Sequence, residues 1–292
     1  MLLNIRDASP QDVDFLVGTY EWAYRGGYSA CFDRYGVIGP QDFWWVQAEK
    51  SVSVIEIDRS SAGLLIIGKD RRQLLVEELL VAGDGHAGRA DRESGMLIPR
   101  LYGQLVEHFK RGRQDRILLR AAERNTVALD LAHRHQFTFV NALVVSAGAA
   151  AARPSIPEGY AIRRATADDE RVVARLSDEL LGESFASSRR PSPRRKRVGD
   201  VRTFLAERDR YVTGVALTHV EAGTGLWAVA VREAHRRKRI GAALAGAALQ
   251  YLQHLGVKPV ATYWALDPGA ARLAQRLGAT TERTYLYLQK SI

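Results

Sequence analysis

The sequence predicts an α/β (α+β) protein built from two tandem domains of one kind. Three observations carry this. A short strand followed by a capped helix stands at Asn4–Val17 and returns 157 residues later at Ala161–Ala174. A later strand–helix pair recurs with an offset of 142 residues, which aligns Asn125 with Asp267, Ala128 with Ala270 and Leu131 with Leu273. Between the copies lies Ser146–Gly159, SAGAAAARPSIPEG, rich in Ala, Gly, Ser and Pro and without a periodic apolar face beyond its start. The expected domains are 1–146 and 158–292, joined by a linker at 147–157. A chain of 292 residues is long enough for both.

Taken in order, Ile5–Arg6 and Ile162–Arg163 are the opening strands of the two repeats. Ser9 caps the first helix, with Pro10 at its first position, and Thr166 caps the second, with Asp169 three residues on as in a capping box. Leu75–Val81 (LVEELLV) reads as an apolar strand, and Gly95 opens a helix with Leu97, Ile98, Leu101, Leu105 and Phe109 on its apolar face. A strand at Arg116–Ala121 follows, then a helix capped by Asn125, then strand-like sequence at Phe137–Ser146. In the second repeat the matching pieces are Leu226–Val231, a helix from Ile240 to Leu255, Val260–Ala265, a helix capped by Asp267, and Thr281–Leu288.

Composition sets outer bounds. Hydrophobic residues make up 46% and charged residues 26%, which describes a globular chain. No apolar run approaches the ~20 residues needed to span a bilayer, and MLLNIRDASP is not a signal peptide. Cys31 is the only cysteine, so an internal disulfide and a multi-cysteine zinc site are excluded, and a cytoplasmic location is expected. The net charge of +9 favours an anionic partner. The basic run in Ser184–Arg197 could meet nucleic acid, but no stacking aromatics are interleaved with it, and nucleic acid is disfavoured. The aromatic-rich stretch Tyr20–Trp45 reads as a pocket lining or as packing. His133 and His135 are two apart on one helix and share no face, so no metal site is expected.

The most informative stretch is VREAHRRKRIGAALAG, from Val231 to Gly246. It is a buried strand end, a loop carrying Arg236, Arg237, Lys238 and Arg239, and a helix opened by Ile240 and Gly241. The first turn of such a helix offers unpaired N–H groups and the positive end of the dipole, which suits a phosphate or pyrophosphate. Neighbouring Arg and Lys side chains strengthen the attraction.

This stretch resembles motif A of the GNAT superfamily of N-acetyltransferases, Q/R-x-x-G-x-G/A. Arg236 stands at its first position and Gly241 at its last, while Arg239 stands where the family has its first Gly. The late N-x-x-A-x-x-L pattern is partly kept in both halves, and the arrangement resembles tandem GNAT proteins such as mycothiol synthase. The resemblance implies a mixed, mostly antiparallel central sheet flanked by helices in each domain. It implies acetyl-CoA, or another acyl-CoA, as cofactor. The backbone from Arg236 to Ala242 would hold the pyrophosphate. Val229, Ala230 and Val231 would pair with the pantetheine arm, and Asp267 and Ala270 would line the far side of the thioester. A small-molecule amine would attack directly in a ternary complex, with a backbone N–H near Val229 stabilising the oxyanion.

Two further features depart from the family. The tyrosine that follows the late Leu is Ala132 in one half and Ala274 in the other. The strand glutamate is present as Glu77 and Glu78 in the first half but is replaced by Trp227 in the second. Glu78 as base and Tyr285 as acid are therefore the candidate catalytic residues, with Tyr263 and Tyr287 as other late tyrosines. The first repeat's loop, VAGDGHAGRADRESG, is longer and dilutes its arginines with Asp84, Asp91 and Glu93. The second repeat is thus expected to bind acyl-CoA and the first to be degenerate. The alternative is a catalytically inactive acyl-CoA-binding or partner-binding protein. A monomer that mimics a dimer, or a homodimer, fits the duplication.

Overall fold

The computed structural model describes residues 2–29, 46, 50–68, 73–81, 90–110, 115–148, 155–181, 200–221 and 223–291, with only the backbone at 90–96, 108–110, 177–181, 200–201 and 221. Four stretches read above lie wholly or partly outside them: residues 30–45 of the aromatic segment, 82–89 of the first repeat's loop with Asp84, 149–154 of the linker, and the basic run 184–197.

Each repeat begins with the same local device. In the first, β1 (Leu3–Asp7) leads into a 3-10 turn at Pro10–Asp12 and then α1 (Val13–Gly26). Asp12 accepts from the Ser9 backbone N–H at 2.8 Å and from its hydroxyl at 2.7 Å, and its carboxylate takes two further bonds from Arg6. Arg6 also reaches Glu56 at 2.7 Å. In the second repeat, β7 (Ala161–Arg164) and α4 (Glu170–Leu181) are joined the same way, with Thr166, Asp169, Arg163 and Glu207 in those places. One arginine thus ties a first strand, a helix start and a second strand together twice over.

The hairpins are duplicated as closely. β2 (Lys50–Ile57) turns into β3 (Ser60–Gly68) through Asp58 and Arg59, and β8 (Asp200–Arg208) turns into β9 (Tyr211–Glu221) through Asp209 and Arg210. All four turn residues have positive φ, between 50° and 68°, as a two-residue type I′ hairpin demands. A register shift follows in each hairpin, at Ile55/Glu56 and at Ala206/Glu207.

The remaining elements keep the common order. The first repeat has β4 (Leu74–Val81), α2 (Ala90–Lys110), β5 (Arg116–Ala122), α3 (Thr126–Arg134) and β6 (Thr138–Ala147). The second has β10 (Thr224–Val231), α5 (Ile240–His254), β11 (Lys258–Trp264), α6 (Pro268–Arg276) and β12 (Thr280–Ser291). α2 begins ahead of Gly95, so Asp91 and Glu93 belong to the first turns of a helix, where acidic residues complement the dipole, and not to a loop.

Two units form, and they are not sequential. Unit 1 is Met1–Leu143 with Arg283–Ile292, and unit 2 is Val144–Glu282. In unit 1 the strands run β1-β2-β3-β4-β5-β12, the last pairing antiparallel from Tyr285↔Ala122 to Ser291↔Arg116. In unit 2 they run β11-β10-β9-β8-β7, and β6, which straddles the boundary at Leu143/Val144, is next to β11. The chain's final strand therefore completes the first repeat's sheet, an exchange that boundaries at 1–146 and 158–292 do not include. The sheets are mixed: β4/β5 and β10/β11 are parallel, and the other described ladders are antiparallel. Unit 1 has cores on both sheet faces, one under α2 and α3 and one under α1. Unit 2 repeats this with α5 and α6 on one face and α4 on the other.

Candidate functional site

The site grows from a parting of strands in unit 2. β10 and β11 pair in parallel from Thr224↔Lys258 to Trp227↔Ala261 and no further. Beyond Trp227, β10 continues to pair with β9 as far as Val231↔Gly214. Its other edge is open. Among the described residues, nothing bonds the backbone of Ala228, Val229 or Ala230 from the β11 side. Such an edge can accept an extended ligand as a further strand.

At the wide end of the opening stands the N-terminus of α5. The first helical amide with an intrahelical partner is that of Ala243, which donates to the Arg239 carbonyl at 3.1 Å. The amides of Ile240, Gly241 and Ala242 precede it and have no backbone acceptor among the described residues. The loop before them holds two residues in the left-handed region, Arg237 at φ 62° and Arg239 at φ 61°. Arg239 stands where the motif has glycine, and the backbone adopts the glycine-like conformation all the same. Arg236 secures the loop, its Nε donating to the Val231 carbonyl at 3.0 Å, and Lys238 donates to Ala234 at 3.2 Å. His235 shares a 2.9 Å bond with the Tyr160 hydroxyl. Burial and the nearby Lys238, Arg208 and Arg232 push its pKa below the ordinary histidine value, so it adds no charge at neutral pH.

Gly241 has a second role besides backbone access. A Cβ there would lie 3.7 Å from Val231, 3.8 Å from Leu273 and 3.9 Å from Val229. An alanine would make ordinary contacts, whereas a longer side chain would enter the slot between β10 and α6. Asp267 Oδ1 accepts from the amides of Gly269 at 2.8 Å and Ala270 at 3.1 Å, so this carboxylate is committed to capping α6. Val229, Ala230, Val231, the segment from Arg236 to Ala242, Asp267 and Ala270 all belong to unit 2.

Unit 1 has the same parting, closed by side chains. β4 and β5 pair only from Leu74↔Ile117 to Val76↔Leu119. Across the gap Asn125 Nδ2 donates to the Leu79 carbonyl at 2.8 Å, and Arg120 Nε reaches the Glu77 carbonyl at 3.4 Å. The positions that match these two in unit 2 are Asp267, which has no N–H to donate, and Thr262, which is too short. The charged residue inside the apolar strand RILLRAA is the one sequence signal for this closure.

The candidate acid and base belong to unit 1 and the basic loop to unit 2. Glu78 is 1% exposed and accepts from the Ser29 hydroxyl at 2.9 Å, while Glu77 is paired with Lys50 and Arg120. Neither is a solvated strand-edge carboxylate. Tyr285 is also 1% exposed, and the strand exchange places it with Glu78 in unit 1, not with the basic loop. Of the three late tyrosines, Tyr263 lies in unit 2, on β11 past the last rung, with its hydroxyl 3.3 Å from that of Ser146.

Residues 166–279, the greater part of the second repeat, match the Acetyltransferase (GNAT) family. Residues 166–279 thus carry the sequence pattern of a GNAT domain. The chain's fold as a whole is that of tandem GNAT proteins. A GCN5-related N-acetyltransferase from Sphaerobacter thermophilus superposes with a TM-score of 0.70 at 19% identity, covering 99% of this chain and 95% of its own. A tandem GNAT protein from the clavulanic acid biosynthesis pathway gives 0.69 at 16% identity, covering 99% and 98%. A GCN5-related N-acetyltransferase from Kribbella flavida gives 0.55 at 20% identity over 78% of this chain and 87% of its own. No curated protein matches the sequence. Proteins of the GNAT family carry out acyl transfer and generally bind acyl-CoA. Among the described residues no helix is long and apolar enough to cross a membrane, and no group of three or more His, Cys, Asp or Glu gathers as a metal site.

Proposed function

We propose that the chain is an N-acyltransferase whose unit 2 binds acetyl-CoA, or another acyl-CoA, and passes the acyl group to the amine of a small molecule. The observation that supports this most directly is the open edge of β10 beyond Trp227, ending at the unpaired amides of Ile240, Gly241 and Ala242. The residues fit the group: free N–H donors and a basic loop for a pyrophosphate, an unpaired strand edge for an amide-bearing arm, and a slot that Gly241 keeps clear. Acyl-CoA supplies there a thioester carbonyl activated toward direct attack by an amine.

The chain's own part is binding and polarisation. The Arg237 and Arg239 side chains add positive charge beside the α5 amides, while Arg236 braces the loop through Val231. The Val229 backbone N–H is the oxyanion donor in this reading. Tyr263 can hold a proton at its hydroxyl, shared with Ser146, where the family's helical tyrosine is replaced by Ala274. Unit 1, with its parting bridged by Asn125 and Arg120, serves as a non-binding partner domain.

Calorimetric titration of the full chain with acetyl-CoA and CoA tests this. One site is expected, and Gly241→Glu should weaken binding by about tenfold or more, because a carboxylate enters the slot beside the anionic ligand. Unchanged binding in Gly241→Glu would place the site elsewhere. An amine panel, read by release of free thiol, then tests transfer.

A further inference from the structure

The last rung before the opening carries a polar side-chain group without a partner among the described residues. Trp227 is the last β10 residue in the ladder to β11, so it marks the point where the strands part. Its side chain is 3% exposed and belongs to the core cluster beneath α5, with Ile240, Leu244, Val229 and Leu273. Its indole Nε1 is buried and has no hydrogen-bond partner among the described residues. A buried donor left unmade is costly, and a phenylalanine or leucine would fill such space without that cost. The matching residue of the first repeat is Val76, the last β4 residue in the ladder to β5, whose buried apolar side chain has no donor to satisfy.

Val229 and Val231 follow Trp227 at two-residue spacing, on the same face of β10. Both border the space at Gly241, at the α5 N-terminus. The three side chains therefore form a line about 13 Å long, from the anion-binding amides to the vertex of the opening. A ligand with its phosphates on those amides and an extended arm along β10 brings its reactive end to the vertex.

We propose that the Trp227 indole N–H donates a hydrogen bond to the acyl carbonyl oxygen of acyl-CoA bound in this opening, and so distinguishes acyl-CoA from free CoA. The inference rests on the acyl-CoA reading of unit 2. The bond draws electron density from the carbonyl, and it is absent once the acyl group has left, which favours release of CoA.

The test is a calorimetric comparison of acetyl-CoA with S-ethyl-CoA, a thioether that lacks the carbonyl oxygen. It uses the full-length chain, Trp227→Phe and Trp227→3-benzothienylalanine, the last keeping the two-ring shape with sulfur in place of N–H. The native chain should prefer acetyl-CoA. Both replacements should cut that preference about three- to tenfold while leaving S-ethyl-CoA affinity unchanged. An undiminished preference, or an equal loss for both ligands, overturns the assignment, because the ring then only fills space. If Trp227→Phe does not fold, the isosteric replacement decides. Native protein that binds neither ligand overturns the acyl-CoA reading itself, and this inference with it.

Discussion

Replacing Tyr285 by alanine will loosen the first repeat, although Tyr285 stands in the sequence of the second. Its side chain is 1% exposed, and its strand pairs with β5 from Tyr285↔Ala122 onward. Truncating a fully buried aromatic to alanine costs about 3–5 kcal/mol, the lost transfer free energy plus the cavity left behind. That is a large part of the ~5–15 kcal/mol that holds a domain folded. Each ~1.4 kcal/mol is a factor of ten in an opening equilibrium, so exchange through unit-wide opening should speed by roughly two to three and a half decades. Hydrogen–deuterium exchange read peptide by peptide is the assay. Peptides from β3, β4 and β5 should lose protection, while those from β9, β10 and α5 should keep theirs. The opposite pattern would mean that β12 completes the second repeat's own sheet, and the exchange of strands would be refuted.

Further predictions concern the loop, the twin networks and the two caps. Arg239→Gly should leave thermal stability within about 1 kcal/mol of the native chain, since relief of a left-handed backbone (about 1–2 kcal/mol) is offset by the added freedom of the unfolded chain (about 0.4–1 kcal/mol). Arg239→Val should cost about 1–2 kcal/mol, because a β-branched side chain suits that φ least; equal melting points for the two variants would contradict the conformation. Asp12→Asn and Asp169→Asn should each cost about 1–2 kcal/mol in denaturant unfolding, a loss of charged hydrogen bonds that solvent at the arginine partly screens. Hydrogen bonds from Arg6 and Arg163 hold these carboxyls well below the ordinary aspartate value of 3.8, so the folded state binds fewer protons than the unfolded one. Their contribution is complete above that value and is lost as pH falls below it; a native chain with pH-independent stability between pH 5 and pH 2 (about the relevant window) would refute it. Asn125→Ala should destabilise more than Asp267→Ala, each losing a cap of about 1 kcal/mol but only the first leaving the Leu79 carbonyl unpaired across a buried gap.

What the sequence disclosed was what local chemistry decides. Ser9, Thr166, Asn125 and Asp267 cap helices because a side-chain oxygen beside a helix start has few other uses, and each was legible from spacing. The loop from Arg236 to Gly241 was legible for the same reason. What stayed hidden depended on partners distant in sequence. Nothing in TTERTYLYLQK says that it pairs with RILLRAA, more than 160 residues earlier, because an apolar strand fits either sheet. Glu78 is a candidate base from its strand position alone; a bulge at Glu77 breaks the strand's alternation, and Lys50, Arg120 and Ser29, which occupy the two glutamates, come from other elements.

The two repeats treat one backbone opening differently through their side chains. Parallel strands that part leave carbonyl and amide groups on their inner edges, and buried groups of that kind must be satisfied. Unit 1 satisfies them internally, with Asn125 serving both its own helix and the Leu79 carbonyl, and with Arg120 spanning from β5 to Glu77. A ligand there would have to displace bonds already made. In unit 2 the cap is Asp267, whose oxygens can only accept, and the strand position of Arg120 is held by Thr262. The edge of β10 is left for something else to complete. In the proposed reading, an Asn-for-Asp difference at one helix cap and an Arg-for-Thr difference on one strand separate the bridged opening of unit 1 from the acyl-CoA site of unit 2. The paired change Asp267→Asn with Thr262→Arg should carry the first condition into unit 2, abolishing acetyl-CoA binding without lowering stability. Retention of binding in a double variant that folds normally would show that the open edge is not what holds the ligand.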